Sequence, residues 1–479
     1  MIKSYIIILR SSFFIFGFIS LCISCNNESK NNTLKSPNFV LIVADDQGWN
    51  GTSVKMMEEE PLSKSDYYET PNLEILANSG VRFSNAYAAA PVCAPSRYSI
   101  QVGKTPARLS MIRVGMSTVH INHDKLLSIP KALKKINSSY ASAHFGKWGM
   151  GGSPKSFGYD QSDGPTKNRD GGFNNDGIQW QFNVKKDPKK IFSITKRAIA
   201  FMEKSVKENT PFFLQISHYA VHSNLEMREN TLKKYQRKVK GKYQHNEGLA
   251  AMTENLDEGL GIILSKLKDL EIQDNTYIIY ISDNGSVPNV PGGKEYTYSY
   301  NYPLSRGKWD AMEGGIRIPF IISGPYIKSG SQLDQPISTC DILPTIFSLA
   351  GAKKDDIQNI DGGNLKPILF DNNINKVKRD VNGIFFHVPY RNKIALNRPH
   401  SAARVGDFKL IKFHDNQELL LYNVVNDKKE VNDLSKSLIT KAKNLENILD
   451  DYLKSVKAPR WQEGITWKNK TLSEYNSFH

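Results

Sequence analysis

Cysteine is scarce in this chain: Cys22, Cys25, Cys93 and Cys340 are the only four among 479 residues. They are too few and too scattered for a disulfide scaffold or a paired zinc knuckle, so each needs its own explanation. Internal repeats and low-complexity tracts are also lacking, and no collagen-like or coiled-coil bias is present. Acidic residues are in deficit, 48 against 63 Lys plus Arg, which leaves a net charge of +15. A basic excess of that size suits nucleic acid, an anionic membrane surface or an acidic substrate. The first of these is disfavoured, because neither zinc-ligand spacing nor an aromatic-interleaved basic patch accompanies the charge. With 39% hydrophobic and 23% charged residues the composition is that of a globular protein, and disorder is excluded. The length suits about three domains, or one large α/β domain with a small companion.

The first residues carry an export signal. Lys3 and Arg10 flank an aliphatic stretch at 6–9, residues 13–23 are almost wholly apolar, and the chain turns polar at Asn26. The run is too short and too early for a membrane span. With Ser24 before Cys25 it resembles a bacterial lipoprotein signal, in which the cysteine after the cleavage point is acylated. Cys22 departs from the aliphatic residue usual at its position. A plain cleaved signal and an uncleaved anchor are the alternatives. Residues 1–24 are thus read as signal and 25–36 as a solvated tether. The expected location is exported, periplasmic or anchored to the outer membrane through Cys25.

In the rest of the chain, continuous β-branched and aromatic runs at 39–43, 212–216 and 277–281 read as buried strands of a parallel sheet. Each ends in polar residues: Asp45-Asp46, Ser217-His218, and Asp283-Asn284-Gly285. Helical spacing is found at 71–79, 129–136, 191–207 and about 243–270. Alternating strands and helices predict an α/β fold, a large doubly wound, mostly parallel sheet flanked by helices, with ligands beyond the carboxyl ends of the strands. Residues 150–190 read as a long surface excursion, and Lys233 to Lys242 as a solvated helix end or loop. Beyond about residue 380, short strands at 383–388, 408–413 and 419–424 precede an amphipathic helix at 434–456. This predicts a core domain at 37–380 and a small antiparallel sheet-plus-helix subdomain at 381–479.

The chemistry is carried by Cys93-Ala-Pro95-Ser-Arg97 with the downstream Gly103-Lys104 element. The same chain has Asp45-Asp46-x-Gly48, Gly146-Lys147-Trp148, Asp283-Asn284-Gly285, and Lys308 ahead of Glu313-Gly-Gly-x-Arg317-x-Pro319. In order and spacing these resemble the motifs of the type I, formylglycine-dependent sulfatases of the alkaline phosphatase superfamily, including bacterial polysaccharide sulfatases. The likeness is strong over about 36–350 and weaker through Ala403-Arg404-x-Gly-x-x-Lys409.

The resemblance implies that a separate maturation enzyme oxidises Cys93 to formylglycine. The hydrated aldehyde then has one hydroxyl to attack sulfur and a second through which sulfate is expelled. Asp45, Asp46, Asp283 and Asn284, with the residue at 93, would hold a divalent cation. Oxygen donors select calcium, with magnesium the alternative, and disfavour zinc. Arg97, Lys147 and Lys308 would surround the sulfate with fixed positive charge. His222 would protonate the leaving alcohol, with His218 the second candidate. One departure concerns Gly149, which stands where the family often has an active-site histidine. On the substrate side His120, His123, Arg113, Arg306, His387, Arg391 and Arg404 are candidates, with Arg306, His387 and Arg391 placed first. The implied function is hydrolysis of a sulfate ester on a carbohydrate. A phosphomonoester or phosphonate monoester hydrolase of the same superfamily, and a non-catalytic glycan-binding lipoprotein, are the alternatives.

Overall fold

The computed structural model describes residues 36–174, 178–288, 290, 300–352, 357–371, 373–374, 376–392 and 398–463. The signal, Cys22, Cys25 and the tether up to residue 35 lie outside them. Residues from Ser36 onward form one compact unit. The backbone of that unit is an eight-stranded sheet. Its strands are β1 (Asn38–Ala44), β2 (Gly80–Phe83), β3 (Ala141–Gly146), β4 (Gln161–Ser162), β5 (Phe212–Ser217), β6 (Thr276–Ser282), β7 (Phe320–Ser323) and β8 (Ser331–Leu333). They lie in the order β8-β2-β7-β6-β1-β5-β3-β4. All neighbours pair in parallel except β7, which runs against both β6 and β2.

β1 shows why the sheet is covered twice. Phe39, Leu41 and Val43 point into one core, while Val40, Ile42 and Ala44 point into the other. A strand apolar on both faces can be buried only between two helical layers. Helices α1 (Pro71–Asn78), α3 (Ile191–Lys207) and α4 (Glu247–Asp269) cover the second face. Helix α2 (Cys93–Val102) and α5 (Ile342–Leu349) lie on the first. Helix α4 starts four residues after its apolar pattern does, because Asn246 caps it by accepting a hydrogen bond from the Leu249 N–H.

The C-terminal part contains a four-stranded antiparallel sheet in sequential order. Its strands are β9 (Ile384–Val388), β10 (His400–Val405), β11 (Phe408–Phe413) and β12 (Leu419–Asn423). Helix α6 (Ile439–Ser455) packs Leu445, Leu449 and Tyr452 on Phe385, Ala403 and Leu410 of this sheet. The apolar pattern runs back to 434, but 434–438 is a turn rather than helix. Strand β10 carries Arg404 and His400, buried charged and polar groups that mask its strand pattern. Among the described residues no helix is long and apolar enough to cross a membrane.

Candidate active site at the strand ends

Four adjacent parallel strands deliver the site. Asp45 and Asp46 follow β1, Asp283 and Asn284 follow β6, His218 to His222 follow β5, and Lys147 follows β3. The ladder continues past the strand ends, since Asp283 N–H donates to the Ala44 carbonyl and Lys147 N–H to that of Ser217. These side chains therefore stand on rigid backbone rather than on free loops. Asp46 takes φ 62°, a left-handed conformation that Asp tolerates better than most residues and that turns its carboxylate into the cluster.

Cys93 enters from the opposite side as the first residue of α2, whose N-cap Val92 offers no side-chain acceptor. Amide groups of that first turn are a source of positive potential. The Cys93 thiol is 3.4 Å from Lys308 Nζ and 3.9 Å from Asp46 Oδ1. Among the described residues, Asp45, Asp46, Cys93 and Asp283 bring their ligand atoms within 4.8 Å of one another.

Three carboxylates face three cations. Lys147 Nζ lies 2.5 Å from Asp45, Lys308 Nζ 2.7 Å from Asp46, and Arg97 Nε 2.8 Å from Asp283. Arg97 also donates through Nη1 to the Lys147 carbonyl at 2.7 Å, tying α2 to the β3 end. All six are buried. Burial raises the Asp45 carboxyl, but Lys147, His222 and Arg97 together pull it well below the usual range. Asp283 is pushed up to about 6 by burial and by Asp45. Burial also pushes the Cys93 thiol up to about 12 despite the lysines beside it. A neutral thiol there is a poor nucleophile in unmodified form.

Two buried oxygens, Asp45 Oδ1 and Asn284 Oδ1, have no hydrogen-bond partner. Such atoms are costly to bury unless something binds them. Together with the Asp46 and Asp283 carboxylates they form an all-oxygen donor set suited to a hard divalent cation.

His222 is placed at the edge of the cluster, with Nε2 3.7 Å from Asp46 Oδ2. Its Nδ1 lies 2.6 Å from the Ser223 carbonyl, so Nδ1 carries the proton and Nε2 faces the site. Burial lowers its pKa to about 4. His218 is not brought to the cluster: it is buried beside Gly259 of α4, where its pKa is likewise held down to about 4.

The substrate-side candidates are mostly engaged elsewhere. Both ring nitrogens of His387 are taken, by Ser401 Oγ and the Pro459 carbonyl, each at 2.7 Å. Arg391 sits near Asp415 and Glu463, and Arg306 pairs with Asp310 at 2.7 Å. His123 meets the Tyr98 hydroxyl, His120 the Leu109 carbonyl, and Arg113 lies over the Tyr390 ring. Arg404 reaches the buried Tyr87 hydroxyl. His144 contacts Ser217 and the Trp148 ring as a packed core residue.

Gly149 has a structural explanation. Its φ is +68°, and a Cβ there would meet Lys147 Cε at 3.2 Å and Arg97 Cδ at 3.4 Å. Glycine lets the chain turn left-handed directly over the two cations. One group escaped the motif reading altogether. Lys189 is 1% exposed, and burial lowers its pKa to about 8 against the pull of Glu226 and Asp45. The string Asp-Pro-Lys-Lys reads as an exposed turn, so nothing in the sequence signals it.

A doubly wound sheet whose strand ends gather carboxylates, cations and a helix-borne residue around an oxygen-rich donor set that could hold a metal ion is the arrangement of a hydrolase of anionic esters. The sulfatase profile matches residues 37–352, and a profile for the C-terminal region of N-sulphoglucosamine sulphohydrolase matches 308–458. The chain belongs to the sulfatase family, the type I sulfatases of the alkaline phosphatase superfamily, and is a sulfuric ester hydrolase. A sulfatase of Formosa agariphila is 26% identical over 96% of both chains. Human N-acetylgalactosamine-6-sulfatase is 29% identical over 70% of this chain and 66% of its own length. The crystal structure of Ps i-CgsB superposes with a TM-score of 0.72 at 26% identity, covering 92% of this chain and 97% of that one. It has also been solved in complex with k-i-k-neocarrahexaose.

Proposed function

We propose that this chain removes sulfate from a sulfated polysaccharide or its oligosaccharides, with formylglycine formed from Cys93 and calcium held by Asp45, Asp46, Asp283 and Asn284. The observation that carries this reading is the placement of Cys93 beside Lys308 and Asp46, next to two buried oxygens without partners. The carbohydrate substrate is supported by the relatives: one is named N-acetylgalactosamine-6-sulfatase, and another was crystallised in complex with k-i-k-neocarrahexaose. Formylglycine at residue 93 would supply a hydroxyl nucleophile with a built-in route for releasing sulfate, and a cation held by Asp45, Asp46, Asp283 and Asn284 would polarise a sulfate oxygen.

The chain's own residues do the rest. Lys308 and Lys147 hold positive charge where negative charge is redistributed over the sulfate oxygens, and their burial strengthens that effect. Arg97, clamped between Asp283 and the Lys147 carbonyl, fixes the first turn of α2 and so the position of residue 93. His222, its tautomer set by the Ser223 carbonyl, turns an unprotonated Nε2 to the site, and a proton must first be taken up there before it can be passed to the leaving alcohol. The +15 net charge favours approach of a polyanion. Export through residues 1–24 and acylation of Cys25 would place the enzyme where such polymers are met, and a Cys25→Ala variant should then leave the membrane fraction.

The test is a panel of sulfated oligosaccharides, nitrophenyl sulfate and nitrophenyl phosphate, offered to protein co-produced with a maturation enzyme. Loss of sulfate from defined sugar positions is expected. Phosphate turnover exceeding that of every sulfate would favour the phosphomonoesterase alternative and overturn the reading.

A further inference from the structure

Two motif segments were left without a role by the site: Glu313-Gly-Gly-x-Arg317, and the Arg404 to Lys409 stretch of the small sheet. They meet in the interior. Lys409 on β11 is fully buried, and its ammonium donates to the Ala311 carbonyl at 3.0 Å and to Glu313 Oε1 at 2.9 Å. It also lies 2.6 Å from Glu430 Oε1. The other Glu430 oxygen accepts the Glu313 N–H at 2.8 Å and the Ser305 hydroxyl. From β10, His400 Nε2 accepts the Ala311 N–H at 3.0 Å.

Ser305, Ala311 and Glu313 are the two feet of one arch, closed at its base by the Gly314 N–H on the Ser305 carbonyl. Between the feet stands Lys308, whose ammonium lies against Asp46 and Cys93. The arch is not a relaxed turn. Arg306 has φ 59° and Trp309 φ 93°, left-handed values unfavourable for residues with large side chains. Conformations of this kind persist only where their surroundings over-determine them. The surroundings here are Lys409, Glu430 and His400 from the C-terminal region, the Arg306–Asp310 ion pair inside the arch, and contacts from the core, where the Lys308 and Trp309 N–H groups donate to the Ser286 and Pro91 carbonyls and the Asn301 amide donates to the Arg306 carbonyl.

We infer that Lys409 and Glu430 are positioning residues for Lys308, so that the small C-terminal sheet sets the geometry of the catalytic centre without touching substrate. The inference rests on the assignment of Lys308 to the site made above. Removing the Lys409 charge frees the Ala311 carbonyl and two carboxylates, and the arch relaxes away from its left-handed conformation. Lys308 then loses registration with Asp46 and residue 93. Substrate groups bound elsewhere are unaffected, so the loss falls on kcat rather than KM.

The test is a double-mutant cycle on full-length matured protein, with turnover of an aryl sulfate normalised to aldehyde content at residue 93. Lys409→Met should lower kcat about 10-fold or more with KM changed less than about 3-fold. In a Lys308→Ala background the same substitution should cost under about 2-fold, because the group through which it acts is already gone. Glu430→Gln, which keeps its shape and one of its two acceptor oxygens, should show the same non-additivity in milder form and serves if Lys409→Met does not fold. Equal losses in both backgrounds would overturn the inference and leave Lys409 a structural residue. Full activity in Lys308→Ala alone would overturn the site assignment first, and is distinguishable because it appears before any change at Lys409.

Discussion

Two clusters of buried charge lie on either side of Lys308, and they differ in how they are closed. In the cluster around Asp45, Asp46 and Asp283, lone pairs on Asp45 and Asn284 and one Arg97 nitrogen have no hydrogen-bond partner. In the cluster around Glu313 and Glu430, every carboxylate oxygen has a cationic, N–H or hydroxyl partner within 3.1 Å, although Glu430 Oε1 and the Arg317 Nε and Nη1 likewise make no well-directed hydrogen bond. Glu313 meets Lys409 at 2.9 Å, Arg317 at 3.1 Å and the Tyr87 hydroxyl at 2.9 Å, while Glu430 meets Lys409, the Glu313 N–H and Ser305. Desolvating ions is expensive in both places. Asp45 Oδ1, without a hydrogen bond and 3.9 Å from Arg97 Nη2, has room for a ligand, whereas carboxylates already paired with cations at 2.6–3.1 Å hold structure. The sequence carries both as equally well-formed motifs, and only their closure tells them apart.

Three experiments test that contrast. The largest effect is expected at Cys93. Cys93→Ala should reduce sulfate ester turnover to background while leaving cooperative unfolding intact, and mass spectrometry of the active parent should find an aldehyde at that residue. A fully active protein with an intact thiol would remove the nucleophile from the open cluster.

Second, chelation should abolish turnover, and calcium should restore it. Because the cation binds only the folded chain, saturating it at about 100 times its dissociation constant should add about 2.7 kcal/mol of stability. That gain should vanish in Asp283→Ala and persist in Lys409→Met. An equal response of both variants to calcium would mean that the clusters are not functionally distinct.

Third, Glu313→Gln should destabilise the chain by about 3–5 kcal/mol in denaturant unfolding, since it leaves Lys409 and Arg317 facing a neutral group in a buried site. A cost under about 1 kcal/mol would show that the closed cluster has no structural weight.

The difference in closure also explains what could be read in advance. The strands at 38–44, 212–217 and 276–282 are apolar on both faces, so their burial and the parallel sheet follow from composition alone. Asp45, Asp46 and Asp283 follow them immediately, and these three with Cys93, Lys147 and Lys308 stand in short motifs, which made their clustering legible. Substrate-side groups were not. His387, Arg391 and Arg306 are basic residues near the right strands, but whether a long side chain turns toward a pocket or toward Ser401, Asp415 or Asp310 depends on contacts distant in sequence. Strand β10 was hidden for a related reason. His400 and Arg404 break its apolar pattern because they reach across to the core domain, at the Ala311 N–H and the Tyr87 hydroxyl.

Counted per residue, the smallest predicted effect concerns acid. His387 and His400 of the small sheet are held down to about 4 by burial, and neighbouring His414 to about 3. Unfolded, each returns to about 6.5. Between these values the unfolded chain binds more protons than the folded one, so stability rises with pH and is lost as pH falls below about 6.5. Each group can contribute at most about 1.4 kcal/mol per pH unit in that window. The melting temperature should therefore fall between pH 7 and pH 5, where most carboxylates remain ionised. His414→Gln, which removes one titrating ring, should make the slope shallower. The Glu313–Lys409 pairing should keep its contribution through this range, because Lys409 and Arg317 outweigh burial and hold the Glu313 carboxyl at about 2. A flat melting temperature from pH 7 to pH 5 would show that these rings gain protons without opening the small sheet, and that its histidines are less tightly enclosed than the ion pairs beside them.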